Sequence, residues 1–358
     1  MQEITNKYFS LLLLCFSPVF LISQSLERFV ARTPTALSTS SSIKLSSSLL
    51  SINESNKGLY VLTQREGCFL INQKYKNRAS AIVEPVNNRD YFHSLVVNGK
   101  EILLWANEKE LITLKNKDGE RLSFSTSFFS KTVDSKNIVI DPVGNVYIGT
   151  ASDGLFIFER DENGVYRDVP KRISMIDEQL PSNNIQCLYK DIDGTIWIGT
   201  DAGIASVKEG RVHNYSKVTI THHQWSSLLG VTTKTCPFSQ SIYAISNWGN
   251  NSLLLAGDRD LYRINLKNDS IKNIYQYHLF SKLENPLTNI QALMVDIDGN
   301  VWIAANQLIR YNITTDKVAI LSDIYNFKSQ GFLSLHEDLK GRKVWVGTNR
   351  GGLYHLKY

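Results

Sequence analysis

One recurring pattern constrains the fold of this chain more than any other feature of its sequence. An apolar strand is followed by a polar turn, a second strand, a turn of small residues and a third strand. The clearest copies are NIQCLYKDIDGTIWIGTDAGIASV (184–207) and NIQALMVDIDGNVWIAANQLIRYN (289–312). Weaker copies precede, separate and follow these two. A repeat of this kind predicts one supersecondary unit that is stacked many times.

A large residue early in the second strand marks seven copies of the pattern. The markers are Tyr60, Leu103, Tyr147, Trp197, Leu254, Trp302 and Trp345. They lie 43 to 57 residues apart, which is the length of one four-stranded propeller blade. The sequence therefore predicts an all-β, seven-bladed β-propeller of four-stranded antiparallel blades. We expect the marker tryptophans to be core residues between blades.

Small residues mark the turns inside the repeat. The two DxDG segments, 191–194 and 296–299, could be read as calcium loops. A full calcium loop needs more oxygen ligands and a terminal Glu, so tight hairpin turns at these Asp-Gly pairs are the preferred interpretation. Gly199 and Gly347 follow their markers closely. We expect neighbouring blades to leave no room for a side chain at these two glycines.

The last copy ends on its third strand, so the ring needs an outer strand from elsewhere. Residues 26–32 (LERFVAR) precede the first copy and have no hairpin partner. They are predicted to supply the outer strand of the seventh blade, because an open ring would expose sheet edges. The Ser-rich residues 38–48 then lead into the first blade. Residues 26–358 are thus predicted to form a single propeller.

The N-terminus carries an apolar run at residues 8–22, preceded by Lys7 and followed by a small-x-small pattern at residues 23–25. This arrangement predicts a secretory signal peptide over residues 1–25 and a periplasmic or otherwise extracytoplasmic protein. A buried N-terminal strand or an uncleaved anchor is the alternative. No later segment has 18 or more apolar residues, so no membrane span is expected after the signal peptide.

Charge, cysteine content and the absence of known catalytic motifs limit the classes of function that this sequence predicts. The formal net charge of +5 is spread along the chain without a Lys/Arg block, so no nucleic-acid partner is predicted. Beyond the signal peptide the cysteines are Cys68, Cys187 and Cys236. Their odd number argues against a disulfide framework, and their spacing matches no zinc motif. No nucleophile elbow, phosphate loop or HExxH motif is present, so no catalytic residue, metal or cofactor is predicted.

The segments DIDGTIWIGTDAGI and VWVGTNRGGLYHL resemble the two-component-regulator propeller repeat. That resemblance implies a kinship with periplasmic sensors of hybrid two-component systems, especially in Bacteroidetes. In that family, paired propellers precede an Ig-like domain, a membrane span and a histidine kinase, and they sense glycan fragments. This sequence has one propeller and no kinase boxes. The resemblance therefore implies a truncated sensor or a free-standing propeller, not itself an enzyme, that needs an envelope sensor kinase as a partner.

Ligand-binding candidates come from one predicted face of the propeller. The longest repeat contains an insertion at residues 216–240, which holds His222, His223 and Trp225. An adjacent His pair is a poor metal site in a strand, whereas an exposed tryptophan suits stacking on a sugar or peptide. The alternative is a loop folded onto the propeller with Trp225 as its anchor. The turns between second and third strands add polar candidates, namely Asp153, Asp201, Arg259, Asn306 and Arg350.

Three functional hypotheses follow from these features. The first is a sensor that binds an oligosaccharide or another small polar ligand and signals through a partner. The second is a protein–protein interaction propeller of the cell envelope. The third is a propeller lyase or glycosidase, since paired carboxylates are present and only their distance in space would define an acid/base pair.

Overall fold

A computed structural model of the protein describes a large part of the chain. The described residues are 35–36, 48–55, 58–72, 78–83, 92–98, 101–106, 110–115, 120–125, 138–167, 169–176, 178–226, 230–249, 251–257, 261–274, 283, 287–324, 327, 331–338, 342–350 and 352–357. Almost all regular structure in this part of the chain is β-strand. A 3-10 turn at Tyr215–Lys217 and a one-turn helix at Leu321–Ile324 are short exceptions.

The strands are short and evenly distributed, as the repeat predicts. They are β1 (Thr35–Ala36), β2 (Leu49–Ser55), β3 (Gly58–Thr63), β4 (Gly67–Asn72), β5 (Arg78–Val83), β6 (Phe92–Asn98), β7 (Glu101–Ala106), β8 (Glu110–Lys115), β9 (Glu120–Ser125), β10 (Ile138–Ile140), β11 (Val146–Gly149), β12 (Leu155–Phe158), β13 (Lys171–Ile173), β14 (Ile185–Lys190), β15 (Ile196–Thr200), β16 (Gly203–Lys208), β17 (Arg211–Asn214), β18 (Thr219–Ser226), β19 (Gly230–Pro237), β20 (Ala244–Asn247), β21 (Ser252–Ala256), β22 (Leu261–Asn265), β23 (Ser270–Asn273), β24 (Ala292–Val295), β25 (Asn300–Ala304), β26 (Leu308–Asn312), β27 (Lys317–Ile320), β28 (Phe332–Asp338), β29 (Lys343–Thr348) and β30 (Leu353–Lys357).

These strands form four-stranded antiparallel sheets, which are the blades of a β-propeller. Six sheets consist of four consecutive strands: β2–β5, β6–β9, β10–β13, β14–β17, β20–β23, β24–β27. The repeat pattern predicts seven such blades. One further four-stranded sheet has a different composition: it contains three consecutive strands, β28–β30, and β1, which comes from the N-terminal part of the chain. First strands of successive sheets contact one another, and β28 contacts β2. The chain is an all-β propeller with four-stranded antiparallel blades.

The strand that completes the last sheet differs from the predicted one. Thr35 pairs with His355 and Ala36 pairs with Tyr354, so β1 lies along β30. The predicted outer strand at residues 26–32 lies outside the described residues. The prediction placed the pairing segment too early because a two-residue strand has no periodicity by which a sequence could reveal it.

Antiparallel order gives the propeller two distinct ends. The 2–3 face, as we call it, carries the turns between second and third strands and also the connections between sheets. The 1–2 face carries the turns from first to second and from third to fourth strands. Every sheet of four consecutive strands obeys this rule, because each strand reverses the direction of the one before it.

The core lies between neighbouring sheets. Trp302 of β25 packs with Val344 and Val346 of β29 in one buried cluster. Trp345 of β29 packs with Leu49 and Val61 of the first sheet in another. Trp197 is buried in the same way against the next sheet. The prediction that the marker tryptophans are core residues is confirmed.

The two DxDG segments are hairpin turns, as predicted. They join β14 to β15 and β24 to β25, and Gly194 and Gly299 have φ values of 84° and 80°. Asp296 Oδ1 accepts hydrogen bonds from the backbone N–H groups of Asp298 at 3.1 Å and Asn300 at 2.8 Å. These carboxylate oxygens are therefore used to hold the turn itself.

The close approach expected at Gly199 and Gly347 is confirmed. A Cβ atom on Gly199 would lie 2.5 Å from Cys187 Sγ and 2.7 Å from the Ile242 carbonyl oxygen. A Cβ atom on Gly347 would clash with Ser334 Oγ and lie 3.0 Å from Leu49 Cβ of the first sheet. Glycine at these positions lets adjacent sheets pack against each other.

Replacing Gly347 with alanine is expected to lower the free energy of unfolding by about 1–3 kcal/mol, because the added methyl group overpacks the junction of the last and first sheets. Urea unfolding followed by tryptophan fluorescence would measure the loss. Gly210→Asn serves as the control, since Gly210 has open space around it at a φ of 77°, a conformation that Asn tolerates. Equal losses in the two variants would contradict the packing explanation.

Candidate functional site

Threonines at the ends of second strands stabilise the turns of the 2–3 face. Thr150 Oγ1 donates to the Gly154 carbonyl at 2.8 Å, and Thr200 Oγ1 donates to the Gly203 carbonyl at 3.0 Å. Thr348 Oγ1 makes the equivalent bond to Gly352 at 3.0 Å. The Gly-Thr pair of the repeat therefore closes each of these turns, and the turn residues that follow are held in place.

Connections between sheets are tied to the same turns. The backbone N–H of Ile185 donates to the Thr150 carbonyl at 2.9 Å, and Ile242 donates to the Thr200 carbonyl at 2.9 Å. Phe332 donates to the Ala305 carbonyl at 2.8 Å. The expectation that the 2–3 turns share one face with the connections between sheets is confirmed by these bonds.

The two acidic candidates, Asp153 and Asp201, make contacts that stabilise their own turns. The N–H of Asp153 donates to Thr150 Oγ1 at 2.8 Å, and its carboxylate lies 3.8 Å from Arg172 Nη2. Asp201 Oδ2 accepts from Asn184 Nδ2 at 2.9 Å, and Asp201 is exposed. Both acids therefore have a structural role and lie at the surface of the 2–3 face.

The remaining turn candidates have different outcomes. Asn306 Oδ1 accepts from the backbone N–H of Thr288 at 2.9 Å, which ties its turn to the preceding connection. Arg350 is exposed in the turn between β29 and β30. Arg259 lies outside the described residues. Asp153, Asp201, Asn306 and Arg350 belong to the 2–3 turns of four different sheets.

The insertion at residues 216–240 folds as a β-hairpin and not as a loop. Strands β18 and β19 pair over eight residue pairs, from Thr219 with Pro237 to Ser226 with Gly230. They form a two-stranded sheet that is separate from the blades. The segment is rich in Thr and contains Ile, Trp and Val, which favour extended backbone. It follows β17 and precedes β20, so it is inserted in a connection on the 2–3 face, and β18 lies beside β23, the outer strand of the next sheet.

Apolar residues at the base anchor the hairpin to the propeller. Tyr215, Ile220 and Phe238 are all buried, in one cluster with Trp197 and Tyr262 of the two flanking sheets. The ring of Phe238 meets the ring of Tyr262 edge-on at 5.2 Å. Sequence reasoning missed these anchors and offered Trp225 instead. The signal that could have found them is a pair of isolated large apolar residues, one at each end of a polar insertion.

Tyr215 also meets a charge at the hairpin base. Its hydroxyl lies 3.3 Å from Asp269 Oδ1. Burial, and then the negative charge of Asp269, raise the pKa of Tyr215 above its ordinary value. The phenol therefore stays neutral and donates to the carboxylate at physiological pH.

The hairpin register separates the candidate residues of the insertion. Trp225 pairs with Val231, His223 with Thr233 and His222 with Lys234. Successive residues of a strand lie on opposite faces. Trp225 and His223 therefore share a strand face with Thr219, which is exposed at the base. His222 lies on the face of the buried Ile220.

The three cysteines in the described part of the chain form no disulfide bond. Cys68 and Cys187 are buried and free, and Cys236 is half-buried and free. Burial raises the pKa of Cys68 to about 12, so its thiol stays protonated and unreactive near neutral pH. Within the described ranges, no group of three or more His, Cys, Asp and Glu side chains could hold a metal ion. No helix in those ranges has the length and apolar character of a membrane span.

Two solved structures with TM-scores of 0.62 and 0.60 support the fold. The mitotic checkpoint complex contains a chain with a TM-score of 0.62 at 14% identity, covering 92% of this chain and 93% of that one. YCF48 bound to D1 peptide gives a TM-score of 0.60 at 8% identity, with 91% and 96% covered. The extracellular domain of the hybrid two component system BT4673 from B. thetaiotaomicron gives 0.45 at 15% identity. The match includes 87% of this chain but only 48% of that domain, so this chain spans about half of the domain's length.

Sequence comparison identifies one repeat. No curated protein matches the chain at a significant level. The family model described as two component regulator propeller matches residues 179–202. That stretch contains β14, the DxDG turn and β15, which carries the marker Trp197. Residues 179–202 of this propeller are therefore a repeat of the two component regulator propeller family.

Proposed function

We propose that this chain is an extracytoplasmic sensor propeller that binds a glycan fragment on its 2–3 face and signals through a partner kinase. The observation that carries the proposal is the hairpin β18–β19. It is inserted in a connection on the 2–3 face, lies beside the outer strand β23 of the next sheet, and has buried apolar anchors at its base. Connecting segments that are held by a rigid scaffold often carry recognition residues.

The hairpin has suitable chemistry for an oligosaccharide. The strand face that includes Thr219 also includes His223 and Trp225 on β18 and Thr233 on β19. An indole offers a flat apolar surface for a sugar ring, and Thr and His offer hydrogen bonds to hydroxyl groups. His222, on the opposite face, is left outside the proposed site. Asp201 lies in the neighbouring turn of the 2–3 face, where its backbone carbonyl accepts from Ser241 Oγ at 3.0 Å, just after the hairpin, and its carboxylate adds an acceptor.

The proposal includes a complete ring of seven blades. Its support is the contact of the last sheet with the first. Ser48 Oγ donates to the Asn349 carbonyl at 2.9 Å, and Ser334 Oγ donates to the Leu49 carbonyl at 3.1 Å. In this proposal β1 is the outer strand of the last blade.

Location and the absence of catalysis belong to the same proposal. The N-terminal apolar run and the repeat at residues 179–202 support an exported sensor module. A partner kinase supplies the output, since the propeller repeats carry recognition and no phosphoryl-transfer machinery.

The alternative is an interaction propeller. It is favoured by aliphatic side chains in turns of the 1–2 face, where Val143, Ile192 and Ile297 are 73%, 96% and 64% exposed.

Titration calorimetry of the full chain with a panel of short neutral and acidic oligosaccharides tests this proposal. At least one is expected to bind and to raise the melting temperature. Trp225→Ala is expected to weaken that binding by about 5- to 150-fold, because stacking on an indole is worth about 1–3 kcal/mol. Ile192→Ser, on the 1–2 face, is the matched control and should bind normally. No binding across the panel, together with a stoichiometric protein partner captured from envelope extracts, would favour the alternative.

A further inference from the structure

Two histidines lie in one cross-strand row at the junction between the last and first sheets. His336 of β28 pairs with Trp345 of β29, and Trp345 pairs with His355 of β30. Cross-strand partners lie on the same face of a sheet. This is the face that packs on the first sheet, because Trp345 and Leu353 share a buried cluster with Leu49 and Val61. Both histidines therefore belong to the surface along which the two ends of the chain meet.

The surroundings of His355 favour its neutral form. Its ring lies 5.0 Å from the ring of Trp345, in an edge-on contact. Its Nδ1 atom is buried without a hydrogen-bond partner. Lys343 and Lys357 are cross-strand partners one row further along the same face. A proton on His355 would place a third positive charge beside these two lysines.

The acidic groups on this face are further away. Asp338 lies on β28, two strands from His355, which is a lateral separation of roughly 10 Å. Glu54 of the first sheet is occupied by His336, whose Nε2 lies 3.3 Å from Glu54 Oε2. The charged or titratable groups that face His355 are thus Lys357 on its own strand, Lys343 on β29, and Asp338 and His336 on β28.

The surroundings of His355 determine how the stability of this junction changes with pH. Burial, then Lys343 and Lys357, lower the pKa of His355 below its ordinary value of 6.5. When the junction opens, His355 returns to water and binds a proton more readily. The contribution of His355 to stability is therefore fully present above about pH 6.5 and is lost as the pH falls through the lowered pKa.

We infer that protonation of His355 makes the junction between the last and first sheets acid-labile, so that mild acid loosens this edge of the propeller before the other sheet interfaces. The junction is suited to such a response, because the last sheet is completed by a strand of only two residues, β1. The other marker rows lack this arrangement. In the preceding sheet the residue equivalent to His355 is Arg310, which stays charged and is paired with Asp296.

Hydrogen exchange of the full chain at about pH 7.5 and about pH 5 tests the inference, since His is the side chain that titrates between them. After correction for intrinsic rates, protection in β30 and β2 is expected to fall several-fold in acid. Protection in β15 and β25, away from the junction, is expected to change less. His355→Phe keeps a ring against Trp345 and cannot bind a proton, so it should abolish the difference.

A second variant keeps the test decisive if His355→Phe does not fold. Lys343→Gln combined with Lys357→Gln removes the charges that oppose protonation and leaves the packed rings in place. Its acid-induced loss of protection at β30 and β2 should be smaller than in the original protein. Two results would overturn the inference: a uniform loss of protection over all sheets, or an acid response that persists in both variants.

Discussion

Replacing Arg310 with methionine is expected to lower the free energy of unfolding by about 3–5 kcal/mol, because the change leaves the Asp296 carboxylate buried without its cation. Arg310 Nη2 lies 2.8 Å from Asp296 Oδ2, and the two side chains are 5% and 0% exposed. The same carboxylate oxygen accepts from Trp302 Nε1 at 2.8 Å. The guanidinium carbon lies 5.3 Å from the centre of the Trp302 ring. One buried carboxylate therefore joins the turn, the marker tryptophan and the third strand of this sheet.

A double-variant cycle separates the pair from its surroundings. Asp296→Asn alone is also expected to be strongly destabilising, because it leaves the Arg310 charge buried. The combination with Arg310→Met should be less destabilising than the sum of the two changes, since no unpaired charge remains. Equilibrium unfolding in urea gives all three values. Lys208→Met is the matched control, since the pair Lys208–Asp193 is 2.6 Å apart but about half exposed, so its loss should change stability little. Additive losses in the cycle would show that the pair is not coupled.

Replacing Phe238 with alanine is expected to cost about 3–5 kcal/mol, the usual range for a phenylalanine in a packed core. Phe238 is fully buried at the base of hairpin β18–β19, where it contacts Tyr262 of the next sheet. Its backbone N–H donates to the Val218 carbonyl at 2.8 Å, and this bond should survive the change. The hairpin is therefore expected to loosen at its anchor while its own strand pairing remains.

Two measurements follow the consequence of this loss. Urea unfolding reports the change in stability, and hydrogen exchange of β18 and β19 reports whether the hairpin has become more mobile than the blades. Phe238→Leu is the conservative control and should cost less than about 1.5 kcal/mol, because it keeps most of the buried volume. If Phe238→Ala were as stable as the original protein, Tyr215 and Ile220 alone would be sufficient anchors.

Several features of the fold could be predicted because they depend on local chemistry. The Asp-Gly turns, the Gly-Thr strand ends and the marker aromatics recur at the spacing of one blade. Each is a short-range requirement: a turn residue with positive φ, a closed turn, or a large side chain on a two-sided sheet. The need for glycine at Gly199 and Gly347 was predictable for the same reason. Neighbouring sheets approach too closely there for any side chain.

The candidate site was predictable only in outline. The length of the insertion identified it as unusual, and its place after a third and fourth strand identified its face. Its folding as a hairpin was not predicted, and neither were its anchors, because Tyr215, Ile220 and Phe238 gain their role from Trp197 and Tyr262 on other sheets. The pairing of Asp296 with Arg310 was missed for a similar reason. The partners lie 14 residues apart and meet only when three strands of one sheet are in register.

The sequence by itself determined a propeller of four-stranded blades, since period, turn chemistry and apolar strands are written into each repeat. Only the tertiary structure decided which residues complete the last sheet, where the inserted hairpin is held, and which buried charges are paired. Those outcomes depend on contacts between residues far apart in the chain. Such contacts form only when the sheets pack, so no local pattern in the sequence records them.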